Sequence, residues 1–308
     1  MLYFLLAVLF TVALYLIMRA YPRFQVHSFH AIVFNYYACV GTGLLLSPDL
    51  GQFKEIQPGS SATLLTVALG AMFILVFVLI GHTTQKVSVT ATSLAGNMSL
   101  VIPVLFGLFV FQNTNKLFTG WNYLGLLVAL VALALGAIQK APKTTPESTS
   151  GGNLANTSWV WLLPFFTFLG TGTNNTLINY LSMTYYRPDQ MTLFMIVACL
   201  GAAGIGTLLL AFRIAFRGEK LLARSVVGGL ILGVPNFLSL YFLLKALGTF
   251  SNSAAFVFPI YNILTMLVSS FTAWVLFREK LHLLNRLGLL LAVVAIILIS
   301  YQELGLGR

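Results

Sequence analysis

Neutral hydrogen-bonding side chains recur at helical spacing inside long apolar runs of this sequence. Between residues 89 and 111, Thr90, Ser93 and Asn97 fall at i, i+3 and i+7, on one stripe of one helix face. Between 159 and 181, Thr171, Asn175 and Asn179 recur every four residues, with Asn174 beside them. Pro235, Asn236 and Ser239 lie in a later run, and Asn262, Thr265 and Ser269 in the next. Two roles are open to such groups in an apolar medium. They join helices by hydrogen bonds, or they line a cavity and hold a solute, since an unpaired amide in hydrocarbon is costly. Ser93, Asn97, Asn174, Asn175, Asn236 and Asn262 are the candidate solute ligands on this reasoning.

Carboxylates are missing from the same positions. All seven acidic residues (Asp49, Glu55, Glu147, Asp189, Glu219, Glu279 and Glu303) fall in loops or at the ends of runs. An intramembrane carboxylate is the usual proton carrier and cation counter-charge of a transporter, so the expectation is a site without one. The runs also lack a His-Glu zinc motif, an Asp pair or a Ser-His couple. Neither an enzyme nor a cofactor is expected. Cys39 and Cys199 both lie inside apolar runs and read as small buried residues, implying neither a disulfide nor a metal site.

The elements that carry these residues are membrane helices. The chain has 308 residues, 58% hydrophobic and 8% charged, with a mean hydropathy of +0.92. A soluble domain carries about 25% charged residues, so a soluble enzyme, a disordered chain and a secreted disulfide scaffold are excluded. Apolar runs fall at about 2–18, 29–46, 62–81, 89–111, 119–139, 159–181, 190–212, 226–244, 250–277 and 282–301, each near the ~20 residues a span requires. The first run lacks a basic leader and a small-residue cleavage site, and reads as a retained helix rather than a signal peptide. One long polar stretch, 141–158, is rich in Pro, Ser, Thr and Gly and reads as a linker. It divides the chain into a first five-helix block, 1–140, and a second, 159–308.

A net charge of +10 would suggest nucleic acid in a soluble protein; here no nucleic-acid partner is expected, because the basic residues punctuate membrane runs. Twelve of the seventeen fall in odd-numbered loops and five on the side of the termini. The positive-inside rule then places the odd loops in the cytoplasm and both termini outside, in the inner or plasma membrane. Five spans per block is an odd number, so the second block runs inverted to the first.

The blocks also repeat. A shift of 163 aligns 85–137 with 248–300 without a gap, setting Ser88 on Ser251, Ala91 on Ala254 and the Leu-Gly-Leu-Leu at 124–127 on that at 287–290. His82 aligns with Lys245, each closing its span, and both are candidates to receive an anionic or zwitterionic solute. For Lys245 the competing role is snorkelling to the interface. The stripe in 89–111 maps onto Ser253, Phe256 and Ile260 and is not a symmetric packing feature, which favours a solute role for Asn97. Pro103, Pro164, Pro235 and Pro259 lie within the runs and permit kinks. Gly201, Gly204 and Gly206 permit close helix contact.

The stretch from Phe250 to Ile299 resembles the end of a repeat of the drug/metabolite transporter superfamily, EamA type. That pattern is a Ser/Ala-rich span, a Phe-x-Glu-x-Leu hairpin and a last span opening with Gly, met here by Phe277, Glu279, Leu281 and Gly288. The first block resembles it through Ser88–Val104 and Gly125, but Lys116 stands where the Glu is expected. The resemblance implies ten helices around a central cavity and exchange of a small solute. Members carry amino acids, metabolites, nucleotide-linked sugars or drugs. The small four-helix multidrug relatives use a Glu in the first helix, and this first helix offers only Thr11 and Tyr15.

The expectation is an all-α integral membrane protein, with ten spans as two inverted five-helix repeats around a central cavity. It would act as a secondary transporter of a small polar metabolite, of amino-acid type, by alternating access. Its partners would be that solute and the bilayer, and the chain a monomer or homodimer. The alternatives are an exporter of drugs or toxic compounds, and a lipid-handling or channel protein.

Overall fold

The computed structural model describes residues 2–47, 50–109, 119–137, 160–249, 254–279, 281–299 and 301–302. Their regular structure is helical: α1 (Leu2–Ala20), α2 (Ser28–Leu46), α3 (Ser61–Lys86), α4 (Val89–Met98), α5 (Val101–Phe109), α6 (Gly120–Ala137), α7 (Leu163–Tyr185), α8 (Met191–Arg217), α9 (Ala223–Thr249), α10 (Ala254–Phe277) and α11 (Leu283–Ile299). Six helical stretches are long and apolar enough to cross a bilayer: Leu2–Phe24, Ser28–Leu46, Ser61–Lys86, Met191–Arg217, Ala223–Leu243 and Ile260–Phe277. Gly120–Leu135 and Leu283–Ile299 are shorter apolar helices. Large apolar side chains stand outward, Leu45 at 88% exposure and Phe216 at 76%, a surface that water would not tolerate and acyl chains solvate. These features mark a membrane-embedded protein. The linker at 141–158, Lys116, and Ser251 and Ser253 lie outside the described residues.

Local chemistry sets the helix ends. Ser60 and Ser88 cap α3 and α4, their hydroxyl oxygens accepting the Thr63 N–H at 3.3 Å and the Ala91 N–H at 2.9 Å. Gly218, at φ 64°, turns the chain out of α8. Pro164 sits in the first turn of α7, where it displaces no backbone bond; Pro235 lies inside α9.

The run 89–111, expected as one span, is broken. α4 ends at Met98 and α5 starts at Val101. Pro103 supplies the reason: its ring clashes with the carbonyl four residues back, that of Ser99, and its nitrogen cannot bond to it. The freed groups find local partners, with Ser99 Oγ donating to the Gly96 carbonyl at 2.6 Å and Ile102 N to the Ser99 carbonyl at 3.0 Å.

Helices α2, α3, α8 and α9 form the principal core, around Ile32, Tyr36, Leu69, Ile196 and Leu232. A second core joins α4, α5, α6, α10 and α11. The helix pairing is regular: α2 packs on α9 and α3 on α8, α1 on α9 and α7 on α3, α4 on α10, and α6 on α11. The openings of α2 and α8, of α6 and α11, and of α3 and α9 are 163, 163 and 162 residues apart.

Two glycines at the same offset, Gly70 and Gly233, make the tight crossings. A Cβ on Gly70 would lie 2.5 Å from the Gly201 carbonyl carbon on α8, and one on Gly233 would lie 2.5 Å from Ala38 Cβ on α2. Of the other glycines noted in the sequence, a Cβ on Gly206 would meet Val33 at 3.1 Å, while Gly204 faces open space.

Candidate functional site

A cavity of about 220 Å³ lies where α2, α3, α7, α8 and α9 converge. That is the share of roughly seven liquid waters at ~30 Å³ each, room for a small solute only. Its wall is largely aromatic: Tyr36 on α2, Phe73 and Phe77 on α3, Phe194 on α8 and Phe237 on α9. Tyr36 stacks on Phe73 with ring centroids 6.1 Å apart and meets Phe77 edge-on at 5.7 Å. The polar groups are Asn174 and Ser182 on α7, Asn236 on α9, the Tyr36 hydroxyl, Cys39 and Cys199. None of the lining residues is charged.

Two of these polar atoms have no partner. The Tyr36 hydroxyl and Asn174 Oδ1 are buried without a hydrogen bond. Native interiors satisfy such groups almost always, so an unpaired pair facing one cavity is the mark of a place for a ligand or ordered water. Asn236 is partly engaged. Its Nδ2 donates to Asn35 Oδ1 at 3.1 Å and to Cys39 Sγ at 3.4 Å.

The candidate residues divide into two groups. Asn174 and Asn236 line the cavity. Asn175 is half-buried beside Asn174, and Asn179 is exposed, so the cavity face of α7 runs through Asn174, Ile178 and Ser182. Ser93, Asn97 and Asn262 are buried elsewhere. Ser93 Oγ accepts from Ser269 Oγ at 2.6 Å across the α4–α10 contact, and Asn97 Nδ2 donates to the Ser93 carbonyl at 2.6 Å. His82 and Lys245 are both exposed, and Lys245 Nζ stands 5.5 Å over the Tyr241 ring.

Ionic contacts concentrate at one end of the bundle, where the basic loops meet. Glu279, in the turn between α10 and α11, is an acceptor for the N-terminus of α4. Its Oε1 accepts the Val89 N–H at 3.0 Å and its Oε2 the Thr90 hydroxyl at 3.4 Å. Arg19 Nε lies 3.5 Å from the same carboxylate, while its NH1 donates to the Thr84 and Gln85 carbonyls at 2.7 and 2.6 Å. Beside it, Glu219 after α8 meets His30 Nε2 at 3.0 Å and Arg213 at 3.6 Å. The His30 hydrogen bond and the Arg213 charge hold the Glu219 carboxyl below the usual carboxylate range. Partial burial, with His30 and Arg213 beside it, pushes the His27 imidazole down. His27, His30 and Glu219 have ligand atoms within 4.8 Å of one another, the spacing of a metal cluster; the Arg213 guanidinium already supplies the carboxylate with its counter-charge.

At the opposite end, contacts between the helices before and after the linker are neutral among the described residues, such as Thr66 with the Tyr186 hydroxyl at 2.9 Å and Thr119 with the Tyr301 hydroxyl at 2.7 Å. A larger hollow of about 520 Å³ between α10 and α11 is a surface groove, walled by Phe271 and Trp274 at 62% and 58% exposure.

Tyr36, Asn35 and the two cysteines escaped the sequence reading. Asn35 is an amide inside the second apolar run, and that was their one available signal. The aromatic wall carried none, since aromatic residues occur on every face of these helices.

No family model matches the chain. A Haemophilus influenzae protein described as uncharacterized is 24% identical over 309 aligned positions, spanning 96% of this chain and 97% of its own. A solved structure titled only as the crystal structure of a protein superposes on 100% of this chain and 98% of its own, with a TM-score of 0.57 and 14% identity. At that identity the likeness is one of fold alone.

Proposed function

We propose that this chain is a secondary transporter that carries a small solute across the cell membrane by alternating access. On this reading it belongs with the EamA-type members of the drug/metabolite transporter superfamily, its ten spans forming two inverted five-helix repeats. The constant offset between helix openings and the matched pairs of packed helices support the repeat. With the basic loops cytoplasmic, both termini lie outside, and the ionic contacts of Glu279 and Glu219 form the cytoplasmic seal. The cavity is then the solute site, reached from the other face.

The observation that carries this reading is the pair of unpaired buried atoms, Tyr36 Oη and Asn174 Oδ1, in a cavity walled by helices from both halves. Such a site selects a solute without net charge, since no lining residue offers a counter-charge and a lone buried ion is costly. An amino-acid-sized metabolite fits, with a hydrogen-bonding head toward Asn174 and Tyr36 and an apolar or planar body against the rings. The aromatic wall equally fits export of a small toxic compound, and the direction of flux separates the two. Purified protein in liposomes should exchange a member of a labelled solute panel, and Asn174→Ala should lower the apparent affinity. Exchange that is unaffected by Asn174→Ala and Tyr36→Phe together would move the site elsewhere.

A further inference from the structure

Four of the fifteen residues lining the cavity carry sulfur, Cys39, Met191, Met195 and Cys199, in a chain with two cysteines and eight methionines among 308 residues. Even placement would put about one sulfur in every thirty residues, so the wall is enriched several-fold. Three of the four form a ladder: Met191, Met195 and Cys199 succeed one another at four-residue steps on α8, one face of one helix. The ladder starts at the first residue of α8, at the end of the bundle away from the ionic contacts, and descends about 12 Å to Cys199 at 1.5 Å per residue. Cys39 waits there on α2. The two thiols are unoxidised, buried and within hydrogen-bonding reach of each other.

Packing alone accounts for a buried methionine or cysteine. It does not account for two thiols from opposite halves of the chain converging on the same cavity with a thioether ladder leading to them. We propose that Cys39 and Cys199, backed by Met195, form a binding site for a soft monovalent metal ion, copper(I) or silver(I). Thiolate and thioether ligands select such ions over harder ones. The charge balance is also met. Cys39 loses its proton as its Sγ–metal bond forms, and the proton leaves with the water shed by the entering ion. Cys199 and Met195 donate lone pairs without a change of charge. One thiolate and one monovalent cation leave the site neutral, as a cavity without charged side chains requires, and no oxidation or reduction takes place. Asn236 fits the same role, since its amide N–H donates to Cys39 Sγ at 3.4 Å and such a bond favours the thiolate. Outer hydrogen bonds of this kind orient and tune metal ligands.

The site requires the cavity but not transport, and the two are tested apart. Detergent-purified, reduced protein is titrated with copper(I) against a chromogenic copper(I) chelator, with thermal melting as the check on folding. Wild-type protein should withdraw about one copper(I) per chain. C39S and C199S should each lose that capacity, and Asn236→Ala should weaken it by about 10–100-fold. Copper(I) uptake by the C39S/C199S double variant equal to wild type overturns the proposal. So does a Cys39–Cys199 disulfide in protein purified without reductant, read from non-reduced peptide masses. If either single variant misfolds, the other still decides. Solute exchange in metal-free liposomes is scored independently, so failure of the metal site leaves the carrier reading intact, and the converse holds too.

Discussion

The Glu279 carboxylate and the Arg19 guanidinium meet 3.5 Å apart across 260 residues of chain, each also completing the other half's helix ends. Glu279 accepts from the first N–H groups of α4, and Arg19 donates to the last carbonyls of α3. Both helix dipoles are thereby complemented at one point. The Glu279 side chain is 7% exposed, so its loss leaves the α4 N-terminus and Arg19 without their acceptor. Glu279→Gln should destabilise the protein by about 1–3 kcal/mol, seen as a lower melting temperature in detergent. It should also raise the labelling rate of a cysteine introduced at Ser88 by a thiol reagent added from the basic side. Labelling as slow as in the parent would show that the contact does not hold that end closed.

Tyr36→Phe should weaken solute exchange several-fold without lowering the melting temperature. The hydroxyl has no protein partner, so deleting it removes an unpaid desolvation rather than a bond. Asn97→Ala should do the reverse, because the Asn97 amide donates to the Ser93 carbonyl one turn before the α4–α5 break. Its loss should lower the melting temperature by the equivalent of about 1 kcal/mol and leave solute affinity near that of wild type. Melting curves paired with exchange kinetics for the two variants decide between a ligand and a structural bond at each position.

What could be read from the sequence was what depends on local chemistry. The apolar runs predicted every helix, and the polar residues inside them included Asn174 and Asn236. Which amide faces a cavity is not local. Asn174 and Asn175 are adjacent on α7, and four-residue periodicity pointed to Asn175 and Asn179, whereas the cavity takes Asn174, Ile178 and Ser182. The break after Met98 was legible in principle, because Pro103 acts on a carbonyl four residues back. The Glu279–Arg19 and Glu219–His30 contacts were not, since they depend on how helix ends more than 180 residues apart are brought together.

Gly70→Ala and Gly233→Ala should each destabilise the protein by about 1–3 kcal/mol or more, whereas Gly41→Ala should be neutral or stabilising. At Gly70 a methyl group would meet backbone atoms of α8, and at Gly233 backbone and Cβ atoms of α2, with no flexible side chain to move aside. At Gly41 nothing lies within 4 Å of the added carbon, and Ala is the better helix former. Melting temperatures of the three variants in one detergent test this ordering, and equal effects at all three would show that the crossings do not depend on close backbone approach.

Acidification should loosen the basic end of the bundle, with His27 responding first. His27 is faced by His30 on its own helix, by Arg213 on α8 and by Glu219 in the following turn, while its backbone N–H donates to Ser225 on α9 at 2.9 Å. Its folded-state pKa is lowered, so the closed arrangement prefers the neutral ring. That contribution is fully present above the ordinary histidine value of about 6.5 and is lost as pH falls through the shifted one. Glu219 is lowered as well, so its contribution persists to the acid side of the ordinary carboxylate value of about 4.3 before it too is lost. Both shifts have the same sign but separate windows. Labelling of the Ser88→Cys reporter should therefore accelerate between about pH 7.5 and about pH 5.5 in a protein with His27, and stay flat across that interval in His27→Gln. A profile unchanged by His27→Gln would assign the response to another group, and no acceleration in either protein would show that the closed end does not sense His27 at all.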